Sequence, residues 1–282
     1  MGADGVVGGC WPPNEWVFAK SVVSFGRGSF IGGCPLWEMR AIRFRVYTGS
    51  CRETPLTPIL KEFFVLPARR ADWIERLAKL YTPVVADVLD KLGFRQQAMR
   101  ADIRPLFPEA RAVGYASTVQ TVPARETAPA CPYAGELAAV DDLQPDDVLV
   151  VSASDWSFWG ELLSTAARYR GCRGVVIDGH TRDTRAIMEM GFPVFCRGIH
   201  PADSLGRLDV ADHNIHITCG GVGIHPGDLI LADHDGIVVV PQGIAEEALR
   251  LAEEKVSGEN LVRKALQQGM STTEAFKRYG IL

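Results

Sequence analysis

Two short stretches carry residue types that could together bind a carboxylate and a hard cation. One is SDWSFWGELL, residues 154–163, and the other is DGHTRDTR, residues 178–185. Arg182 offers a planar fork of donors that matches a carboxylate. Asp183 is a hard oxygen ligand suited to Mg²⁺ or Mn²⁺. Gly160 lets a ligand approach the backbone closely. The helix expected to begin beside it presents free N–H groups and the positive end of its dipole to an anion. Glu161 opens that helix, where it could hold a water on the metal. The chemistry would be carbon–carbon cleavage next to a keto group. Arg182 and the backbone amides would bind the carboxylate, and a metal on Asp183 would polarise the keto oxygen and stabilise an enolate. Neither loop contains a lysine for a Schiff base. A plainer reading exists for the same residues. Acidic groups in a first helical turn favour the dipole, and Arg-Asp at a turn can be a surface pair of little energetic value. Spacing alone leaves both readings open.

These loops need elements that bring them together. From about residue 147 the pattern alternates: strand VLVVSA, helix GELLSTAARYRG, strand GVVID, helix RDTRAIMEMG, strand PVFCRG. Such alternation implies right-handed βαβ crossovers and a parallel sheet. Ligands gather beyond the carboxyl ends of such strands, which is where both loops fall. Upstream, Ile74, Leu77, Leu80 and Tyr81 follow helical spacing. Thr82-Pro83 then starts a second helix, with Thr82 as N-cap, bearing Val84, Val85, Val88 and Leu89 on one face. ARAVGYASTVQTVP is strand-like, and the following segment to residue 147 is a loop with a short helix. HNIHITCGGVGIHPGDLILADHDGIVVVP reads as consecutive strands with tight glycine turns, including a hairpin around Asp235-Gly236. Two helices, about 242–267 and 271–278, close the chain. The fold class is α/β. Residues 1–68 are rich in Gly and apolar residues without clear periodicity, one strand at 40–49 apart. They read as a poorly structured extension preceding a domain over 69–282.

Bulk properties exclude several classes. The 282 residues are 47% hydrophobic and 23% charged with a net charge of −4, ordinary values for a globular protein. No Lys/Arg cluster suggests nucleic acid or a polybasic membrane patch. No apolar run approaches the ~20 residues of a membrane span, and no signal peptide is evident. The seven cysteines are scattered without a CxxC pair, which reads as reduced thiols in a cytoplasmic protein.

Other polar residues weigh less. His180 lies inside the second loop and could contact substrate or move a proton, or simply stabilise the loop. His213 and His216 would face opposite sides of one strand and make a poor metal pair. Asp228, Asp233 and Asp235 belong to turn sequences and read as structural. Trp156 and Trp159 either wall a pocket or pack their loop. Cys172 and Cys219 have no nearby partner for nucleophilic catalysis.

Residues from about 71 to 282 resemble the RraA-like family, which includes 4-hydroxy-4-methyl-2-oxoglutarate aldolases and oxaloacetate decarboxylases. The likeness runs through VADVLDKLG, DIRPLFPEARAVGYASTVQ, WGELLSTAARYRGCRGVVIDGHTRD, GFPVFCRGIHPADS, TCGGVGIHPGDLILADHDGIVVVP and ENLVRKAL. The aldolases carry an acid, twenty intervening residues, then Arg-Asp, and Glu161 with Arg182-Asp183 fits that spacing. The acid is often Asp in the aldolases, so Glu161 departs from the pattern. The resemblance implies a layered β/β/α domain with flanking C-terminal helices, assembled as a trimer or hexamer with sites between subunits. It implies that Arg182 binds a pyruvate carboxylate with the amides of Gly160, Leu162 and Leu163. Asp183 would ligate Mg²⁺ or Mn²⁺ directly, and Glu161 would act through water. A neighbouring subunit's glutamate would also act through water; Glu259 is the best match, with Glu253 and Glu254 competing. The expected activity is cleavage of a 4-hydroxy-2-oxo acid to pyruvate and a carbonyl product, with oxaloacetate decarboxylation. A rival expectation is a non-catalytic regulator that binds a ribonuclease. Such members are similar but lack extended C-terminal helices, whereas this chain keeps a long tail, EEKVSGENLVRKALQQGMSTTEAFKRYGIL. A methyltransferase label also occurs in the family, but no strand here leads into a GxGxG-like loop.

Overall fold

The computed structural model describes residues 70–281 and, before them, two short strands. These strands, β1 (Tyr47–Thr48) and β2 (Arg52–Glu53), pair antiparallel. The chain divides into two units, Met1–Arg69 and Arg70–Leu282. The expectation of a poorly structured extension over 1–68 falls, outside those strands, on residues that lie outside the described ones.

The second unit opens with α1 (Ala71–Leu77) and α2 (Thr82–Lys91), followed by β3 (Arg104–Pro105), β4 (Ala112–Pro123) and α3 (Ala134–Asp141). The alternating region supplies β5 (Asp147–Val151), β6 (Ser157–Trp159), α4 (Glu161–Tyr169), β7 (Gly174–Thr181), α5 (Thr184–Met190) and β8 (Val194–Ile199). Then come β9 (Leu208–His213), β10 (Ile217–Cys219), β11 (Val222–Ile224), β12 (Leu229–Ala232) and β13 (Ile237–Val240). A short 3-10 turn leads into α6 (Ala245–Gln267), and α7 (Thr272–Tyr279) ends the chain. Ser271 caps α7 by accepting the Glu274 N–H at 3.2 Å, the arrangement that an S-x-x-E sequence favours.

One mixed sheet organises the domain, in the order β13-β12-β4-β5-β7-β8-β3. Strands β4, β5, β7 and β8 run parallel, as the βαβ pattern requires. β12 and β13 form the expected hairpin around Asp235-Gly236. β4 is long enough to pair with β12 through its first half and with β9 through its second, with a bulge between Gln120 and Thr121. The segment 97–105 then curls the sheet towards a half-barrel. It bonds to β13 through Met99 N–H to Ile237 O (2.9 Å) and Val239 N–H to Gln97 O (2.9 Å). A few residues later it pairs with β8. The same segment therefore covers both outer strands, which would otherwise expose unpaired backbone groups.

Alternation along the strands divides the core into layers. Ala116, Val148, Val150, Val176, Phe195, Ile230 and Val239 face the β10–β11 hairpin. That hairpin turns on Gly220 and Gly221, both with positive φ, as a two-residue turn of this hand requires. The opposite face buries Leu149, Val151, Val175 and Ile177 against α3, α4 and α5. Towards the β13 edge, the same layer is built by α1, α2 and α6 over Val113, Leu229, Leu231, Val238 and Val240. The result is a layered α/β domain, hairpin on sheet on helices, with the C-terminal helices flanking it. Val84, Val85, Val88 and Leu89 are all buried; each such side chain contributes about 1.5–3 kcal/mol.

Three sequence expectations need correction. Thr82 is the first residue of α2 and Tyr81 occupies the N-cap position, where its side chain does not cap the helix. The cap comes from a distant residue: Asp233 accepts the Thr82 N–H at 2.9 Å and its hydroxyl at 2.6 Å. His213 and His216 do not share a strand. His213 ends β9 and meets Asp142 at 2.8 Å, Asn214 turns the chain with φ 54°, and His216 lies against His225. Cys172, Cys196 and Cys219 are free and buried, but Cys131 is disulfide-bonded. Such pairing depends on two side chains meeting in space, which spacing along the chain does not report. Among the described residues, no helix is long and apolar enough to cross a membrane.

Candidate functional site

The two loops singled out by their chemistry meet at the carboxyl end of the parallel strands. A short strand absent from the sequence reading, β6, makes the connection. It pairs parallel with the end of β7, placing Trp159 opposite Thr181. Arg182 N–H and the Thr181 hydroxyl both donate to Trp159 O, at 3.0 and 3.1 Å. Trp159 is itself immobilised: it is buried, lies between Phe158 and Phe192 in near-parallel stacks, and donates its indole N–H to Ser164 Oγ at 2.7 Å. It therefore packs the loop rather than walling a pocket. Trp156 is half-buried, edge-on to the His200 ring and under the Arg207 guanidinium.

This pairing sets the start of α4 beside the start of α5. Gly160 is the N-cap of α4 and Asp183 the N-cap of α5. Asp183 adopts a left-handed conformation, φ 56° and ψ 30°, which Asp tolerates better than most residues. Its carboxylate does not cap its own helix. It turns to the neighbouring helix, where Oδ2 accepts the Glu161 N–H at 3.2 Å. The first N–H groups of a helix lack acceptors within it; the Ser164 N–H is already bonded back to Gly160 O. The amides of Leu162 and Leu163 thus lie in the same positive helix end as the Asp183 carboxylate. A Cβ at Gly160 would lie 2.6 Å from Asp183 Oδ2, so any larger residue there must push the Asp183 carboxylate aside.

Arg182 stands between two acids. Its Nε lies 3.9 Å from Asp183 Oδ2 and its Nη2 lies 3.3 Å from Asp203 Oδ1. Glu161 is near by sequence, but its carboxylate accepts the Thr165 hydroxyl at 2.8 Å. Leu162 is 78% exposed, and Leu163 is packed against the helical core layer. His180 lies near the end of β7; its Nδ1 is buried without a hydrogen-bond partner, and its ring meets that of His200 edge-on.

Several residues that sequence reasoning singled out or passed near do not join this group. Within one chain Glu259 is on α6, accepting from the Tyr81 hydroxyl and lying 3.8 Å from Lys255 Nζ. Glu253 pairs with Arg76 and Glu254 with Arg250. Asp178, in the second loop, is buried towards the other sheet face, held by Arg100 at 2.7 Å, Arg197 at 3.0 Å and the Gly220 N–H at 3.0 Å. Asp228 accepts backbone N–H bonds from His225 and Gln242, and Asp233 those of Thr82 and Asp235, as expected of turn residues. Burial pushes the Cys172 and Cys196 thiols up to about 11 and raises that of Cys219 too, so none is an activated nucleophile. Among the described residues of a single chain, no group of three or more His, Cys, Asp and Glu side chains is placed to hold a metal ion.

The structure also brings in residues that the sequence reading passed over. Asp203 follows β8, and Tyr133 and Glu136 stand at the start of α3. Asp203 accepts the Tyr133 hydroxyl and the Ser204 N–H, the latter at 2.8 Å, while Ser204 Oγ bonds Glu136 at 3.0 Å. Burial pushes the Glu136 carboxyl up to about 8, the Ser204 bond only partly opposing it. Burial also raises Asp203, but the Tyr133 and Ser204 bonds and the Arg182 charge outweigh it and hold that carboxyl below the usual range. The signal that could have found these residues was the strand-end rule. It applies to the loops after β4 and β8 as much as to those after β5 and β7.

Comparisons with known proteins agree with this architecture. The sequence signature described as RraA-like, Aldolase/RraA, matches residues 82–239. A Halalkalibacterium halodurans protein, provisionally named 4-hydroxy-4-methyl-2-oxoglutarate aldolase, is 32% identical over 73% of this chain and 93% of its own. An uncharacterised Pseudomonas syringae protein superposes with a TM-score of 0.66 and 28% identity, covering 74% of this chain and 99% of that one. Streptomyces coelicolor RraAS2, described as an unusual member of the RNase ES inhibitor RraA family, gives 0.65 and 29%, with 70% and 99% covered. With more than half of its length under the family signature and the layered sheet in place, the chain belongs to the RraA-like family.

Proposed function

We propose that this protein is a divalent-metal-dependent lyase that cleaves a 4-hydroxy-2-oxo acid to pyruvate and a second carbonyl compound, and decarboxylates oxaloacetate by the same enolate chemistry. One observation carries the reading: the Asp183 carboxylate is turned away from its own helix and set against the N-terminus of α4, with the Arg182 guanidinium beside it. Family membership narrows the chemistry, but a fold alone does not assign it.

The donor set fits a water-rich hard cation. Mg²⁺ keeps several waters and takes one or two protein carboxylates. Asp183 supplies one and is half exposed, leaving room for water and substrate. Glu161, and Glu259 of the partner subunit in a trimer or hexamer, would act through water. When bound, Mg²⁺ or Mn²⁺ supplies Lewis-acid polarisation of the keto oxygen.

The protein's own groups do the rest. Arg182 takes the substrate carboxylate in its fork. The amides of Gly160, Leu162 and Leu163 and the helix dipole add to that binding. His180, two residues before Arg182 in the chain, would contact the same substrate. In cleavage the C4 hydroxyl loses its proton, the C3–C4 bond breaks, and C3 takes a proton to become the methyl of pyruvate.

The test is pyruvate release from oxaloacetate and from 4-hydroxy-4-methyl-2-oxoglutarate, with Mg²⁺, with EDTA, and with Asp183→Ala. Release that requires Mg²⁺ and vanishes in the variant is expected. Release that survives both treatments would place the site elsewhere. The likeness to RraAS2, a protein described through ribonuclease inhibition, favours a second reading as a ribonuclease-binding regulator. No turnover of either substrate together with capture of a ribonuclease would establish that reading instead.

A further inference from the structure

We propose that Asp203, anchored by Tyr133, is a positioning residue that holds the Arg182 guanidinium ready for the substrate carboxylate. This rests on the reading of Arg182 as the carboxylate-binding group.

Asp203 is held from several directions. Its backbone bridges to Ser157 on β6, where the Ser157 N–H donates to Ala202 O at 3.2 Å. Its Oδ1 accepts the Ser204 N–H at 2.8 Å and faces Arg182 Nη2 at 3.3 Å, while its Oδ2 accepts the Tyr133 hydroxyl. Tyr133 in turn sits at the N-cap of α3 with φ 59°. A left-handed backbone is unfavourable for an aromatic residue and persists only where surroundings impose it. Those surroundings include the contact between the loops after β4 and β8. Gly206, φ 67°, lies so close to Thr127 that a Cβ there would come within 2.4 Å of the Thr127 carbonyl oxygen. The two loops are thus locked together, and the lock ends on Arg182.

The consequence follows from guanidinium chemistry. Arg has five N–H donors in a rigid fork, and an incoming carboxylate needs two. Asp203 engages Nη2, and Nε faces Asp183 only at 3.9 Å, beyond hydrogen-bond reach, so donors remain for a substrate carboxylate on a side chain that is 37% exposed. An unheld arginine would have to surrender several freely rotating bonds on binding, and small misplacements at a reacting centre are costly. The three partners of Asp203 also keep it charged, so the clamp stays an ion pair at neutral pH.

Asp203→Asn removes the charge and keeps the shape, and Tyr133→Phe removes one anchor. Three readouts separate positioning from mere loop stability. They are pyruvate affinity by calorimetry with Mg²⁺ present, KM against kcat for oxaloacetate, and hydrogen exchange of the Arg182 guanidinium by NMR in the ligand-free protein. For Asp203→Asn we expect pyruvate affinity to fall and KM to rise by roughly tenfold, with kcat less affected and Arg182 exchange faster. Tyr133→Phe should shift all three in the same direction by less, and it carries the test should Asp203→Asn fail to fold. In an Arg182→Lys background, Asp203→Asn should add little, because the coupled partner is already gone. Folded variants with wild-type Arg182 exchange and pyruvate affinity would overturn the proposal. A wild-type protein that releases no pyruvate would sink the lyase reading, while the exchange comparison would still decide the positioning role.

Discussion

Gly160→Ala asks whether the Asp183 carboxylate must stand where the fold puts it. Gly160 has φ −151° and ψ −172°, an extended conformation that alanine adopts freely, so the backbone is not strained. The added Cβ would lie 2.6 Å from Asp183 Oδ2, about 0.8 Å inside the 3.4 Å at which ordinary contact begins. Its next neighbours, Arg182 Cγ and Asp183 Cγ, are at an unremarkable 3.6 Å. The perturbation therefore falls on one oxygen atom. That oxygen must move, and its bond to the Glu161 N–H, already 3.2 Å, is lost. One charge-assisted hydrogen bond and a somewhat poorer N-cap cost about 1–2 kcal/mol of stability, a shift of a few degrees in Tm for a domain of this size. If Asp183 holds the metal as proposed, the effect on chemistry should be larger, because misplacement by roughly an ångström at a reacting centre costs about 100-fold in rate. Oxaloacetate decarboxylation with Mg²⁺, measured as kcat/KM beside a thermal melt, tests this. A Gly160→Ala protein with wild-type kcat/KM would show that the carboxylate position does not matter and would refute the metal-binding role of Asp183.

Two further predictions concern stability. Folding raises the Glu136 carboxyl from its usual 4.5 to about 8, so the unfolded chain gives up that proton first. Its contribution is intact below about pH 4.5 and is lost progressively as pH rises to about 8. At 1.36 kcal/mol per unit, discounted for the partial exposure of this residue, the loss is on the order of 2 kcal/mol. Urea denaturation at pH 5, 7 and 9 should show a shallower decline for Glu136→Gln than for wild type; parallel declines would mean that Glu136 is not the titrating group. Asp233→Ala removes the acceptor for the Thr82 N–H and hydroxyl and for the Asp235 N–H. It should cost about 2–3 kcal/mol in the same assay without altering kcat for oxaloacetate, and a loss below about 0.5 kcal/mol would mean that water replaces the cap.

Much of the fold was legible because the rules that wrote it are local. The apolar stripe Val84, Val85, Val88, Leu89 announced α2, and its residues are buried. The alternation from residue 147 announced β5, α4, β7, α5 and β8, and the strands are parallel. Asp235-Gly236 announced the β12–β13 hairpin. β6 was missed because three residues following an irregular loop carry no periodicity; they become a strand only by pairing with β7. The cap of α2 was misassigned because its acceptor, Asp233, lies 151 residues away.

The candidate site divides along the same line. The sequence by itself determined which groups could do the chemistry: a guanidinium at 182, a carboxylate at 183, and a glycine followed by an acid at 160–161. Side-chain chemistry and nearest-neighbour spacing are local properties. Only the tertiary structure decided how these groups stand to one another. Strand pairing set Trp159 opposite Thr181 and so the two helix starts side by side. A left-handed turn at Asp183 aimed its carboxylate at the neighbouring helix. The loops after β4 and β8, 70 residues apart at Tyr133 and Asp203, converged on Arg182 because parallel strands deliver all their carboxyl-terminal loops to one end of the sheet. Contacts of that kind depend on which strands become neighbours, and no single stretch of the chain encodes that order.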